Sequence, residues 1–579
     1  MQIDTVQSWQ TRSRRIGIVG MAAVFVIILT LVFHAGQFKG ITNVNAMDYG
    51  QVAWNLAQGR GYTTNLIRPL SLAHNTRIDG HPELTYAPLH PYIASLFMRV
   101  MGDKGKALAL SCGLGFLLCV PVVFFLGWQL FDLRTGILSS ALFATSLVYL
   151  RYSISGLEVT WMTLWVSLLF LTLHTLSRKA RWRPHLSVAA GVLMALVYLT
   201  QYLWAIILPL VLVFILLSTD RRTRGATLGL FLAAFFVVIL PWCVRNVRVA
   251  GNPFFTFHCA ESVMMTRSHP GNTLYRQFTT DVPSWIGYAF TRPMEVIQKV
   301  RSDVETLYPV LLTIGGLFVT PFFLVGSLVT LGSATFERLR YLWHFMYLAV
   351  FTVAAFVLPS DRFLIPLGPV AGVIGVGLFF RLMDTKVGDL APREHARYMG
   401  IGVAALVILQ CLPLTFTLFR GATPEAERLA RIEGTVREVA GLTNGPIITD
   451  VPWLVAWFAD RPAIWLPKTV ADLKNLQDKV GKVRWLLLTP QVVDENYDWA
   501  ERTRAEWGPA WTEGIRGDID FQGYRVYKRI AEGDWLLFVA NPAAAQDLPP
   551  DVMKQYQQQG SGQGAGSSQA PAMPSRSTP

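Results

Sequence analysis

Long apolar runs alternate with short polar breaks over most of this chain. A membrane-spanning helix needs about 20 apolar residues. Eleven stretches fit or approach that length: 16–35, 107–130, 137–151, 158–176, 186–200, 203–218, 225–243, 306–331, 341–358, 363–380 and 398–418. The pattern changes from about 421. Helical periodicity over 424–440, 470–480 and 493–507 then alternates with short apolar runs at Ile447-Ile448, Trp485 to Leu488 and Tyr524 to Tyr527. That alternation predicts a small α/β domain. Beyond about 546, Gln, Gly, Ser, Ala and Pro dominate. Such a segment cannot bury enough apolar surface to order itself, so a disordered tail is expected. The predicted organisation is a membrane region over 1–420 with long loops at 36–106 and 244–305, an α/β domain over 421–545, and a tail over 546–579.

Charge orients the spans. Arg12, Arg14 and Arg15 precede the first, and Arg134 follows the second. Arg178, Lys179, Arg181 and Arg183 follow the fourth, and Arg221, Arg222 and Arg224 the sixth. Arg338 and Arg340 follow the eighth, and Arg381, Lys386, Arg393 and Arg397 the tenth. Basic loops stay in the cytoplasm, so the N-terminus is expected inside. Both long loops, the short turns at 151–158 and 359–362, and everything after about 419 then face out. In a bacterium this is a multi-pass protein of the inner membrane whose outer parts face the periplasm. The apolar stretch Pro88 to Gly102 is too short to span, rising about 22 Å as a helix. Leu89, Tyr92, Ile93, Leu96, Phe97 and Val100 recur at helical spacing, which predicts an interfacial helix on the outer surface.

Composition agrees with a membrane protein. Hydrophobic residues make up 52% and charged residues 15%, against about 25% charged in soluble domains. The net charge of +13 is accounted for by the loops between spans, so no nucleic-acid partner is expected. The five cysteines form no CxxC or Cys/His cluster, which argues against a disulfide framework and a structural zinc site.

Several polar residues fall on the predicted outer face. Asp48 begins a predicted helix whose apolar stripe is Tyr49, Val52, Ala53 and Leu56, ended by Gly59 and Gly61. The plain reading is that Asp48 caps this helix; the functional one is an acid positioned at the membrane surface. His81, Glu83 and His90 precede or open the interfacial helix. They make a weak metal motif and read more simply as a solvated loop. Glu158 stands at the outer end of a span, where an acid is costly unless used or placed against the helix dipole. Arg245 and Arg362 also stand at outer span ends. A guanidinium there suits a lipid phosphate, or simply snorkels to headgroups.

The combination resembles the glycosyltransferase C superfamily, and within it the bacterial membrane enzymes related to protein O-mannosyltransferases. The resemblance rests on the acid after the first span followed by Asn55 to Tyr62, on Pro88 to Phe97, on Pro241 to Phe254, on Asp361 to Pro369, and on Thr449 to Pro467. It implies a donor sugar carried on polyprenyl phosphate and an acceptor that is a glycan, a lipid or a protein. It implies that Asp48 is the base, that Glu158 assists it, and that Arg245 and Arg362 hold the phosphate. Tyr49, His81, Glu83 and His90 would belong to the loop around donor or acceptor. Many relatives have a second acid directly after the first, where this chain has Tyr49. With no Asp-x-Asp either, metal-independent chemistry without a cofactor is expected, a divalent cation staying open. Relatives often have a basic residue where this chain reads Thr200-Gln201-Tyr202. A lipid or glycan transporter is the alternative, but it should show two matching halves and polar mid-membrane residues, and neither is found. A partner-binding scaffold would leave the acids and arginines at one surface unused.

A cysteine introduced near position 450 is expected to react with an impermeant thiol reagent from outside the cell. Labelling only after the cytoplasm is opened would overturn the arrangement.

Overall fold

The computed structural model describes residues 2–330, 334–388, 390–419, 424–490, 523–530 and 535–540. The pattern expected over 493–507 and the tail from 546 lie outside the described residues.

Among the described residues, eight helices are long and apolar enough to cross a membrane: Gly20–Gln37, Lys104–Leu130, Val159–Arg178, Ala180–Thr200, Arg221–Ala250, Thr335–Phe356, Asp361–Val387 and Pro392–Phe419. Each contains or overlaps one of the stretches read from the sequence. Leu133–Ala144 and Leu147–Ile154 meet at a 52° bend and make a ninth if counted as one. Two further spans of the eleven expected are not single long helices either. Tyr202–Ser218 is too short. The stretch from 306 divides between Pro293–Thr313 and Thr320–Leu328, with Gly316 in a left-handed conformation at the break (φ +99°). A residue at that φ cannot continue a right-handed helix.

Helices α1 (Gln2–Gln37), α2 (Val44–Ala57), α3 (Pro69–His74), α4 (Leu89–Met101), α5 (Lys104–Leu130), α6 (Leu133–Ala144), α7 (Leu147–Ile154) and α8 (Val159–Arg178) lead through the first half of the chain. Small residues let α5 and α6 approach closely. A Cβ on Gly127 would lie 2.8 Å from the Gly136 Cα. Helix α4 is the short helix expected after Pro88. It buries His90, Ala94, Ser95 and Met98, and it exposes Tyr92, Leu96 and Val100. Its small and polar side packs on α2, leaving a large apolar face as an interfacial helix needs.

Eight strands are described: β1 (Thr63–Thr64), β2 (Leu66–Ile67), β3 (His81–Pro82), β4 (Ile447–Thr449), β5 (Ala463–Trp465), β6 (Trp485–Leu488), β7 (Tyr524–Ile530) and β8 (Trp535–Ala540). Strands β1 and β3 pair antiparallel within the first long loop. The other six form one sheet, in the order β2-β5-β4-β6-β8-β7. Strands β2, β5, β4 and β6 are parallel, and every one of their residues is buried, as continuous apolar runs in a parallel sheet require. The sheet therefore takes strands from both sides of the expected boundary at 420/421. Leu66 pairs with Ala463 and Ile67 with Ile464.

A second contact fastens this region to α2. Asp460, in a left-handed turn (φ +52°), accepts from Arg60 at 2.9 and 2.7 Å, from Trp54 Nε1 at 3.2 Å and from Asn65 Nδ2 at 3.0 Å. Lys104 donates to the Trp457 carbonyl and lies 4.7 Å from the centre of that ring. Gly50 leaves room for Trp457: a Cβ there would sit 2.5 Å from the ring and 2.9 Å from Leu108. Gly50→Ala is thus expected to destabilise the protein by about 1–3 kcal/mol through overpacking. Thermal unfolding of the purified protein in detergent checks this, and an unchanged midpoint would show that Trp457 is free to move.

Candidate functional site

Helix α2 starts earlier than the sequence suggests. Asn43 is its cap, accepting from the Asn45 and Ala46 amides. Asp48 lies in the second turn, so the capping reading is corrected. The stripe Tyr49, Val52, Ala53 and Leu56 is buried as expected, and Asp48 is buried beside it at 2% exposure. The acid thus faces the protein interior.

Its charge is met by Arg68, whose Nη2 lies 2.6 Å from Asp48 Oδ2. Arg68 directly follows β2, and the sheet sets its position. Gln51 ties the two together: its Nε2 donates to Asp48 Oδ1 at 3.3 Å and to Thr64 Oγ1 at 2.6 Å, and its Oε1 accepts from the Asn65 amide at 2.8 Å. The Arg68 guanidinium also lies over the rings of Tyr86 (5.6 Å) and Tyr275 (5.1 Å). Burial pushes the Asp48 carboxyl above its ordinary range, Arg68 pulls it back, and nearby Glu83 pushes it up again. Arg68 was not singled out from the sequence. Its only local signal is an arginine after two apolar residues, and its role depends on a strand partner far along the chain.

The loop expected to be solvated is instead buried. His81, Glu83 and His90 are at most 1% exposed. His81 contacts the Arg77 carbonyl (2.8 Å) and Ser71 Oγ (2.9 Å), and burial lowers its pKa to about 4. It therefore stays neutral and structural. Glu83 Oε1 accepts from the Thr85 and Tyr86 amides, and its Oε2 has no partner among the described residues. Glu83 supplies a second carboxylate near Asp48, although Tyr49 occupies the position next in sequence. The Tyr49 ring packs 4.2 Å from Tyr86 and edge-on to His90. His90 Nε2 donates to the Gly156 carbonyl at 2.9 Å, leaving Nδ1 without a partner among the described residues.

Glu158 and Arg362 come together from distant parts of the chain. Glu158 precedes α8 without capping it through its side chain, and its Oε1 lies 3.9 Å from Arg362 Nη1. Both are buried. Arg362 also lines a cleft of about 550 Å³ with Lys39, Arg151, Tyr152, Asn43 and Asn45. Three basic side chains and one acid, Asp361, thus border one opening at the ends of apolar helices. Arg362 and Glu158 both act electrostatically on Tyr49, beside Asp48.

Arg245 is placed differently. Its Nη2 donates to the Glu83 carbonyl at 2.7 Å and reaches that of Tyr62 at 3.4 Å, while its guanidinium stacks over Trp242 at 4.8 Å. It holds the loop that carries Glu83 and Tyr86. Gln201, at the position often basic in relatives, is 1% exposed, with both amide atoms lacking partners among the described residues. No cluster of three or more His, Cys, Asp or Glu suited to a metal ion occurs among the described residues.

Removing one member of a buried ion pair strands the other and costs about 3–5 kcal/mol. Arg68→Met is expected to destabilise the protein on that scale, and Asp48→Asn added to it should restore part of the loss. Equal unfolding midpoints for the single and double variants would show that the pair is not coupled.

Residues 81–244, which include Glu83, His90 and Glu158, match the family described as dolichyl-phosphate-mannose-protein mannosyltransferase. No curated protein matches the chain. The fold is similar to the archaeal oligosaccharyltransferase AglB from Archaeoglobus fulgidus in complex with an inhibitory peptide and a dolichol-phosphate. That likeness has a TM-score of 0.52 at 12% identity, over 91% of this chain and 74% of that one. It is also similar to ArnT from Cupriavidus metallidurans bound to undecaprenyl phosphate, with a TM-score of 0.52 at 12% identity, over 90% of this chain and 98% of that one. By the sequence of residues 81–244 the chain is similar to that mannosyltransferase family, and its fold is similar to those of these two solved structures.

Proposed function

We propose that the protein transfers a sugar from a polyprenyl-phosphate donor to an acceptor hydroxyl at the outer face of the membrane. The observation that carries this reading is a buried, charge-paired acid that shares its neighbour Tyr49 with Arg362, which lines a cleft together with Lys39 and Arg151. The two similar structures hold dolichol-phosphate and undecaprenyl phosphate, which supports a donor of this class. The orientation follows the basic loops: N-terminus inside, eleven spans including the short and divided ones, and the α/β region outside.

In this reading Asp48 accepts the proton of the acceptor hydroxyl as its oxygen bonds to the anomeric carbon. The bond from that carbon to the phosphate oxygen breaks, and the electron pair leaves with the polyprenyl phosphate. A phosphodiester with one negative charge becomes a monoester with two, balanced by the proton now on Asp48. Arg362, with Lys39 and Arg151, meets the added charge. Glu158 orients Arg362, and Arg245 keeps the Glu83–Tyr86 loop in place. A single displacement inverts the anomeric centre. The guanidinium and ammonium groups supply the charge stabilisation, and the proposal calls on no metal.

Asp48→Asn is expected to cut transfer by roughly 10²–10⁴-fold, the usual contribution of a general base, with membrane insertion unchanged. Arg362→Ala should lower kcat/KM for the donor by roughly tenfold or more. Membranes supplied with a panel of radiolabelled polyprenyl-phosphate sugars provide the assay. Full transfer by Asp48→Asn would end the assignment, and label that crosses the bilayer without changing its covalent carrier would indicate a transporter.

A further inference from the structure

The second long loop brings a histidine to the same pocket, from a segment to which no role was given above. His258 and Glu261 lie on one short helical turn, 2.9 Å apart from Nδ1 to Oε2. Glu261 Oε1 accepts a second hydrogen bond, from the Tyr275 hydroxyl at 2.8 Å. The turn is rigidly held. Phe257 N donates to the Leu84 carbonyl at 3.2 Å, and Thr256 Oγ1 to that of Thr85 at 2.9 Å. Lys299 Nζ donates to the carbonyls of Glu261 (2.7 Å), Met264 (2.9 Å) and Val357 (3.1 Å).

This turn borders the Asp48 pocket on two sides. The His258 ring meets Tyr86 edge-on at 5.7 Å, and the Tyr86 hydroxyl lies 3.4 Å from Arg68 Nη2. Tyr275, the partner of Glu261, lies under the same guanidinium. Glu261 also acts electrostatically on Arg362, a residue that lines the cleft. Burial works against the Glu261 carboxylate, but His258 and Tyr275 outweigh it and hold its pKa below the ordinary value. The carboxylate therefore takes the Nδ1 proton. Nε2 is the ring nitrogen left over. His258 is 2% exposed, and its Nε2 has no hydrogen-bond partner among the described residues. Buried polar atoms in folded proteins are nearly always paired, so this one is poised for a ligand.

We propose that His258 contacts the substrate: Nε2 forms a hydrogen bond with a hydroxyl of the donor's sugar. This rests on the donor reading above. In such a donor the sugar is bonded directly to the phosphate, so a sugar at Asp48 with its phosphate toward Arg362 lies by Tyr86, on which both residues act and whose ring His258 meets edge-on. Glu261 fixes the ring, as a carboxylate fixes the imidazole in many acid–base sites.

Two substitutions separate contact from scaffolding. In His258→Asn the side-chain amide can replace Nδ1 and keep the bond to Glu261, but nothing replaces Nε2. In His258→Gln the amide reaches the Nε2 position and the Glu261 bond is lost. Binding is measured on the full-length protein in nanodiscs, for polyprenyl phosphate alone and for the same lipid bearing each sugar of the panel. The wild type should bind one sugar-bearing lipid more tightly than the bare lipid. His258→Asn should lose roughly fivefold to tenfold of that gain, as for one hydrogen bond, and bind the bare lipid normally. His258→Gln should keep most of it. The reverse order, with Asn retaining the gain and Gln losing it, makes His258 a scaffold and overturns the contact. If His258→Asn does not fold, His258→Gln decides alone, retention supporting the contact and loss overturning it. A wild type that gains nothing from any sugar overturns the donor reading and the contact together.

Discussion

An ionised carboxylate removed from water must be matched by a fixed opposite charge. Asp48 meets that demand through Arg68, and much of the architecture around it follows. Arg68 is neither on α2 nor in a span. It is held at the end of β2, which belongs to the six-stranded sheet. Gln51 and Asp460 then tie α2 to the same strand region from either side. The α/β region is thus part of the support of the site.

In the proposed function the site uses the boundary between lipid and water. Arg362, Lys39 and Arg151 border a cleft at helix ends, where a phosphate on a lipid chain would be found. Asp48 and Glu83 are deeper, among the tyrosine rings of residues 49 and 86. The cleft is mainly cationic, with Lys39, Arg151 and Arg362 against Asp361, whereas the buried carboxylate of Asp48 is already paired with Arg68. An anionic group is favoured in the cleft.

Much of this was legible because composition and position carry it. The spans show as apolar runs, α2 as a stripe at helical spacing, and Glu158 and Arg362 as charges at the ends of spans. The rest depends on pairings between distant parts of the chain. Arg68 looks ordinary until Leu66 is paired with Ala463. His81, Glu83 and His90 look like a polar loop because nothing near them in sequence shows that α2 and the second long loop cover them. Asp48 looked like a cap because its stripe begins beside it, whereas Asn43 caps the helix from one turn earlier. The division of the stretch from 306 was hidden because apolar content alone does not reveal a break at Gly316.

The parallel pairing of β2 with β5 also sets an order of events in time. β2 leaves the ribosome early and its partner near the end, with nearly every span made in between. Contacts so far apart in sequence form late, since the intervening chain must be organised first. Until β5 arrives, Arg68 has no sheet to hold it and Asp48 has no fixed counter-charge. The nascent protein can therefore be inserted in the membrane while its acid is still unpaired, and completion of the last domain is the step that assembles the pocket.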